Sequence, residues 1–232
     1  MKIAFLGTPS FVQPVKDALA QHFTLVDSLD QADLAVIAAY GRILTPSELN
    51  QPKYGCINIH PSLLPKYRGP SPIQEAILQG DKISGITIIK MDAGVDHGPI
   101  IYQEALELSD NDNFDTLSKN MFLRAGEILP KIITDFVQGK IKPKEQNHKE
   151  ASYCNILTRE SGYFEIDKLP ENLDRMIRAY HPWPGVWTKW NNKIVKLHPK
   201  GAIGGIIQME GKKAMPLSDF LNGYPDFPLK HF

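Results

Sequence analysis

The 232-residue chain has two cysteines, no net charge and no run of about 18 apolar residues, the length that crosses a bilayer as a helix. Each shortage excludes something. Cys56 and Cys154 could pair only once, so a disulfide framework is ruled out, and no CxxC pair is present to hold zinc. The missing apolar run excludes a membrane-spanning helix. Met1-Lys2-Ile3-Ala4-Phe5-Leu6-Gly7 has one charge and too short an apolar stretch for a secretory signal, so a cytoplasmic location is expected. The turn Gly7-Thr8-Pro9-Ser10 lacks the GxGxxG pattern of dinucleotide sites. What remains is ordinary: 42% hydrophobic and 22% charged residues make a globular composition.

The zero charge is a cancellation. Residues 1–139 hold 11 Lys plus Arg against 16 Asp plus Glu, and residues 140–232 hold 15 against 10, so −5 in front offsets +5 behind. A basic rear third suits a polyanionic partner, and equally suits a solvated, lysine-rich surface.

Hydrophobic patterning predicts an α/β front. Apolar Ile3–Leu6, a helix to His22 with Ser10 as N-cap and Pro14 in its first turn, and Leu34–Ala39 read as strand, helix, strand in a parallel sheet covered on both faces. Further strands are expected at Cys56–His60, Gly85–Met91 and Ile100–Ala105. Helices are expected at Ser71–Gln79, capped by Ser71 and closed by Gly80, and at Phe114–Val137. Residues 140–152 have linker composition. Behind them, residues 153–232 predict a helix at Leu169–Tyr180 and short strands at Val186–Trp190, Ile194–His198 and Ile206–Met209, a small β-barrel pattern that leans on the residue 1–139 domain.

Two stretches carry chemistry. In Asn58-Ile59-His60-Pro61-Ser62-Leu63-Leu64-Pro65, alternation puts Asn58 and His60 on one face at a strand end, beside a loop stiffened by two prolines. An amide and an imidazole converging there can donate to an oxygen that gains charge in acyl transfer, although a lone strand-end histidine is also a common structural residue. In Met91-Asp92-Ala93-Gly94-Val95-Asp96-His97-Gly98-Pro99, the acids fit simple turn chemistry. If that strand neighbours Cys56–His60, an aspartate there can reach the imidazole and orient it.

Asn58-x-His60, the Ser62-Leu63-Leu64-Pro65 loop and Asp96, 36 residues after His60, resemble the signature of the folate-dependent formyltransferases. Within these, Phe5-Leu6-Gly7-Thr8-Pro9, Gly69-Pro70-Ser71-Pro72-Ile73-Gln74 and Met91–Asp96 resemble the branch acting on methionyl-tRNA, as do Pro182-Trp183-Pro184 and Gly211-Lys212-Lys213-Ala214-Met215 in the rear. The resemblance implies a Rossmann-like formyltransferase domain with a mainly parallel sheet, followed by a truncated OB-like barrel. It implies 10-formyltetrahydrofolate as co-substrate, no metal, and methionyl initiator tRNA as partner. Asn58, His60 and Asp96 would be catalytic. Ser62, Leu63, Leu64 and Pro65 would line the folate pocket, and Gly41, Arg42, Ile43, Leu44, Met91 and Asp92 would receive the pteridine.

Two departures bear on the acceptor. The chain runs from Val26 almost directly into the next strand, where longer members have more elements, including a loop on the tRNA acceptor arm. Only Gly201–Gly205 separates rear segments that lie far apart in those members. The basic rear, with Lys193, Lys196, Lys200, Lys212 and Lys213 near Trp183, Trp187 and Trp190, favours tRNA. The alternatives are a nucleotide-linked amino sugar, because sugar formyltransferases share the catalytic set, and an inactive folate- or RNA-binding module, against which the intact catalytic set argues.

Overall fold

The computed structural model describes residues 1–201 and 204–232. Six strands form one sheet: β1 (Lys2–Gly7), β2 (Thr24–Val26), β3 (Leu34–Ala38), β4 (Cys56–His60), β5 (Ile83–Lys90) and β6 (Ile100–Glu107), in the order β2-β1-β3-β4-β5-β6. The first four are mutually parallel, while β5 and β6 run antiparallel to their neighbours. Helices α1 (Gln13–His22), α2 (Pro46–Leu49), α3 (Pro72–Gln79) and α4 (Phe114–Val137) pack around this sheet. Behind it follow α5 (Leu173–Ala179), β7 (Val186–Trp190), β8 (Lys193–Gly201), β9 (Gly204–Met209), β10 (Met215–Pro216) and α6 (Leu217–Gly223). The four rear strands form an antiparallel sheet, β10-β9-β8-β7.

Strand alternation divides the large sheet into two unequal faces. Ile3, Leu34, Val36, Ile57, Ile59, Ile86 and Ile88 face a thick layer that includes Val15 and Leu19 of α1, Ile73 of α3 and Met121, Phe122 and Leu129 of α4. The opposite face carries Ala4, Leu6, Ala35, Ile37 and Cys56, covered by little beyond Leu44, Leu49 and adjoining loops. Small side chains and one four-residue helix leave that face thin. Register aligns Leu6, Ile37 and Asn58 in one row across it, and alternation from Cys56 places Asn58 and His60 there. The thin face is therefore where a ligand could reach the sheet.

Three expected helix starts differ. A 3₁₀ turn at Ser10–Val12 precedes α1, and Val12 at the N-cap position offers no side-chain cap, so Ser10 does not cap the helix. Ser71 sits at the N-cap position of α3 but donates its hydroxyl to the Asn155 carbonyl, a tertiary bond in place of a cap. Gly80 closes α3 with φ 71°, the left-handed conformation that glycine adopts without steric cost. The rear helix begins at Leu173, four residues later than expected, because Pro170 and Asn172 hold a turn there.

Residues 140–152 lie against the front unit. Lys144 exchanges two main-chain hydrogen bonds with Ile100, and Gln146 is only 5% exposed. Apolar contact is continuous from the large sheet through α3 and α5 (Ile177, Ala179) to Val186, Val195, Leu197 and Ile207 of the rear sheet, with Phe220 and Phe227 packed beyond. A rear unit this small gains stability by sharing that core.

Candidate active site

Asn58, His60 and Asp96 converge although they arrive from opposite strand directions. Because β5 is antiparallel to β4, its exit at Lys90 lies opposite Ile57, near the start of β4, and the following turn folds back over the thin face to bring Asp96 to the strand end. Asp96 itself has φ 47°, a left-handed conformation that aspartate tolerates better than most residues.

Three donors surround its carboxylate. Asn58 Nδ2 donates to Oδ1 at 3.1 Å, the Gly69 main-chain N–H donates to Oδ2 at 2.8 Å, and His60 Nδ1 lies 3.5 Å from Oδ2. The imidazole is 3% exposed, and its Nε2 donates to the Tyr67 carbonyl at 2.9 Å, since a carbonyl can only accept. That bond locks the ring plane. At 3.5 Å from the carboxylate, Nδ1 is beyond a short hydrogen bond and free to bond a third atom; with Nε2–H committed to Tyr67, it carries a proton only when the ring is cationic. Asn58 uses one of its two amide protons on Asp96 and keeps the other.

The loop after β4 is held from beneath. Buried Ser62 donates its hydroxyl to the Lys66 carbonyl at 2.6 Å. The Thr87 hydroxyl donates to the Ser62 carbonyl and accepts from the Leu64 N–H. Leu64 is buried, whereas Leu63 and Pro65 are partly exposed. On the β3 side, Gly41 has φ 77°, Ile43 is 79% exposed and Leu44 is packed into the thin-face cluster. Arg42 is tied back by Glu48 at 2.7 Å and lies over the Tyr40 ring. That guanidinium and the Thr45 cap hold the Glu48 carboxyl down at about 2. In the Asp96 turn, Met91 donates its N–H to the Cys56 carbonyl, and Asp92 accepts from His97 Nδ1 at 2.7 Å and from the Gly94 N–H.

Gly98 shows how tightly this turn closes. A Cβ there would stand 1.9 Å from the Lys90 carbonyl oxygen, a backbone atom with no freedom to yield. Gly98→Ala is expected to pry the turn from β5, lowering Tm on the order of 5–10 °C as over-packing of a buried site does, which differential scanning calorimetry would measure.

Several contributors escaped the sequence. Tyr67 orients His60 through a carbonyl turned by φ 63°, and Gly69 supplies an N–H to Asp96; neither role leaves a side-chain signature. Arg68 is 2% exposed, neither a surface residue nor a free arm. Its partners are Gln146 Oε1 at 2.7 Å, His148 Nδ1 at 2.8 Å and Tyr153 Oη at 3.4 Å, all from the segment of linker composition and its margin.

The outer face of the rear sheet is basic and aromatic. Trp187 pairs with Lys196 across β7 and β8; the Arg159 guanidinium lies 5.1 Å from the Trp187 ring centroid, and Tyr163 packs 4.8 Å from it. Lys189, Lys193, Lys196, Lys212 and Lys213 are exposed, and none is in an ion pair among the described residues. Trp190 is core, packed on Tyr224 and Phe227, while Trp183 is 57% exposed. The side chain of Lys200, and residues 202–203 within the Gly201–Gly205 stretch, lie outside the described residues.

Comparison with known proteins agrees with this geometry. A family described as formyl transferase matches residues 15–133, just over half the chain, and one described as formyl transferase, C-terminal domain, matches residues 156–201. A methionyl-tRNA formyltransferase of Roseiflexus sp. is 40% identical over 165 residues, covering 71% of this chain and 51% of the relative. The chain thus spans about half the length of that curated relative. Among solved structures, a methionyl-tRNA formyltransferase from Clostridium thermocellum superposes with TM-score 0.68 at 21% identity, covering 90% of this chain and 98% of the other. An N-formyltransferase from Helicobacter canadensis, solved with folinic acid and dTDP-3-aminofucose, superposes with TM-score 0.66 at 20% identity, covering 90% and 95%. Both share the fold.

Proposed function

We propose that this chain, which belongs to the formyl transferase family, moves a formyl group from 10-formyltetrahydrofolate to the free amine of methionyl-tRNA. One observation carries the reading: Asn58 and His60 converge on the Asp96 carboxylate at the thinly covered face, the amide hydrogen-bonded to it at 3.1 Å and the imidazole 3.5 Å away. The residues fit the co-substrate. Leu6 and Ile37 give a flat ring an apolar floor, the partly exposed Leu63 and Pro65 give it a wall shaped from behind by Ser62 and Leu64, and the main chain of Gly41–Leu44 and Met91–Asp92 offers polar edges.

In the proposed reaction the acceptor amine attacks the formyl carbon directly, and the tetrahedral adduct collapses by breaking the bond to folate N10, which leaves as tetrahydrofolate. The free Asn58 amide proton and His60 Nδ1–H donate to the formyl oxygen as it gains charge, an arrangement in which each donor is worth about 10²–10³ in rate. Asp96 holds both donors in place and, directly or through a water, accepts the proton that leaves the amine, which the departing folate nitrogen then takes up. A covalent thioester is disfavoured: burial pushes the Cys56 thiol up to about 11 and raises the Cys154 thiol as well, so neither is a ready thiolate. Within this scheme residues 1–139 form the catalytic domain, 140–152 the connection and 153–232 an acceptor-holding domain. Two free, buried thiols suit a reducing cytoplasm.

The exposed lysines of the rear sheet and its turns, with Lys196 paired against Trp187, support a polyanionic acceptor. A nucleotide-linked amino sugar is the second reading, favoured by the short crossing from β2 to β3, only residues 27–33 long, and by the likeness to the Helicobacter canadensis fold. An assay offering methionyl initiator tRNA together with dTDP- and UDP-amino sugars separates them. Formylated tRNA, with KM rising steeply above ~0.1 M salt, is the expected result. Formylated sugar with unchanged tRNA would transfer the assignment to the second reading.

A further inference from the structure

Arg68 is a fully buried guanidinium, and among the described residues none of its partners is a carboxylate. A permanent cation is costly to bury, so its uncharged partners and what they hold merit tracing. Nε and Nη2 both donate to Gln146 Oε1, at 3.3 and 2.7 Å. That fixes the amide orientation, because only the oxygen can face a guanidinium. The Gln146 Nε2 is thereby aimed at the Asp96 turn, where it donates to the Asp96 carbonyl at 2.9 Å and the Gly98 carbonyl at 2.7 Å. A second arm runs through His148. Its Nδ1 accepts from Arg68 at 2.8 Å, and its ring stacks on His97 with centroids 4.0 Å apart and planes 2° from parallel. His97 in turn donates to Asp92. One buried cation thus braces residues 92, 96, 97 and 98 of a turn whose Asp96 stands at φ 47°.

We propose that Arg68 and Gln146 are positioning residues for formyl transfer: Arg68 orients the Gln146 amide, and the amide's two N–H groups hold the main chain of Asp96 and Gly98 so that the carboxylate meets Asn58 and His60. The inference rests on the formyl-transfer reading for its kinetic consequence, though not for its structural one. It also gives residues 144–154 a role that their composition hides. They are a belt drawn across the site, with main-chain bonds from Arg68 N–H to Ser152 and from Cys154 N–H to Arg68 completing it.

Gln146→Glu is the discriminating variant. Glutamate keeps the size and still accepts from Arg68, now as an ion pair, but it loses both N–H donors to the turn. A role in filling and satisfying the belt survives this change; a role in positioning Asp96 does not. The expected result is kcat lower by at least about tenfold, about 1.4 kcal/mol at the barrier, with KM for the acceptor unchanged and Tm lowered only by the loss of two carbonyl partners, less than in Gln146→Ala. Gln146→Ala should lose more Tm because it strands the guanidinium. Hydrogen exchange supplies a readout that needs no substrate: amides of residues 91–99 should exchange faster in Gln146→Glu while the rear sheet stays protected. Parental kcat together with parental exchange in 91–99 would overturn the proposal. If the parent protein formylates no acceptor, the functional reading fails, and the exchange result alone decides whether Gln146 positions the turn.

Discussion

His60→Ala should eliminate formyl transfer, lowering kcat by at least about 10³, while the protein remains folded. The size of the effect follows from what the ring does in two directions. Its Nε2 is anchored on the Tyr67 carbonyl at 2.9 Å, so the imidazole cannot swing, and its Nδ1, 3.5 Å from Asp96, is the donor that the proposed reaction aims at the formyl oxygen. Alanine removes that donor together with the ring that faces the Asp96 carboxylate. The structural cost is smaller. Losing the partner of one buried carbonyl costs about 1–3 kcal/mol, against a total stability of about 5–15 kcal/mol. The measurement pairs steady-state transfer with calorimetry, and a variant that turns over at the parental rate sinks the assignment of His60.

Asp96→Asn is the second large expectation, and the cleaner one chemically. Asparagine also accepts the left-handed backbone, so φ 47° costs it little and the turn should persist. The side chain fails for a different reason. Every neighbour of the carboxylate is a donor: Asn58 Nδ2, Gly69 N–H and His60 Nδ1. An amide offers one acceptor oxygen, so its own NH₂ must point at another N–H. The negative charge beside His60 is lost in either orientation; if the NH₂ turns toward Asn58, that amide swings away from the formyl oxygen, and if it turns toward Gly69 and His60 it meets their N–H groups. Either outcome lowers kcat by about 10²–10⁴ with nearly parental Tm. Unchanged kcat would show that the carboxylate takes no part in the reaction.

How much of this was readable depended on whether side chains or main chain carried the information. The strand Cys56–His60 and helix Phe114–Val137 stood out because apolar patterning and flanking prolines or polar caps mark both ends. The shared face of Asn58 and His60 followed from alternation alone. The approach of Asp96 did not: expecting strand-exit loops on one side of a parallel sheet gives no hint that β5 reverses and its turn folds back. Ser71 shows the same limit at short range, since a good N-cap residue was taken by Asn155 from more than eighty positions away. The belt at residues 144–154 was invisible because lysine, glutamate and glutamine there have the composition of solvated chain. Its order comes from one buried arginine on the far side of the sequence.

The central claim is that the formyl group passes directly from folate to an amine under the hands of Asn58, His60 and Asp96. A single-turnover experiment with 10-formyltetrahydrofolate labelled in the formyl carbon, quenched over time with methionyl-tRNA and amino-sugar acceptors present, tests it most directly. The account predicts that label leaves folate and appears on the acceptor amine with the same rate constant, that none is trapped on protein, and that His60→Ala stops both processes together. Label accumulating on the protein before reaching the acceptor, or reaching it at the parental rate in His60→Ala, would contradict it.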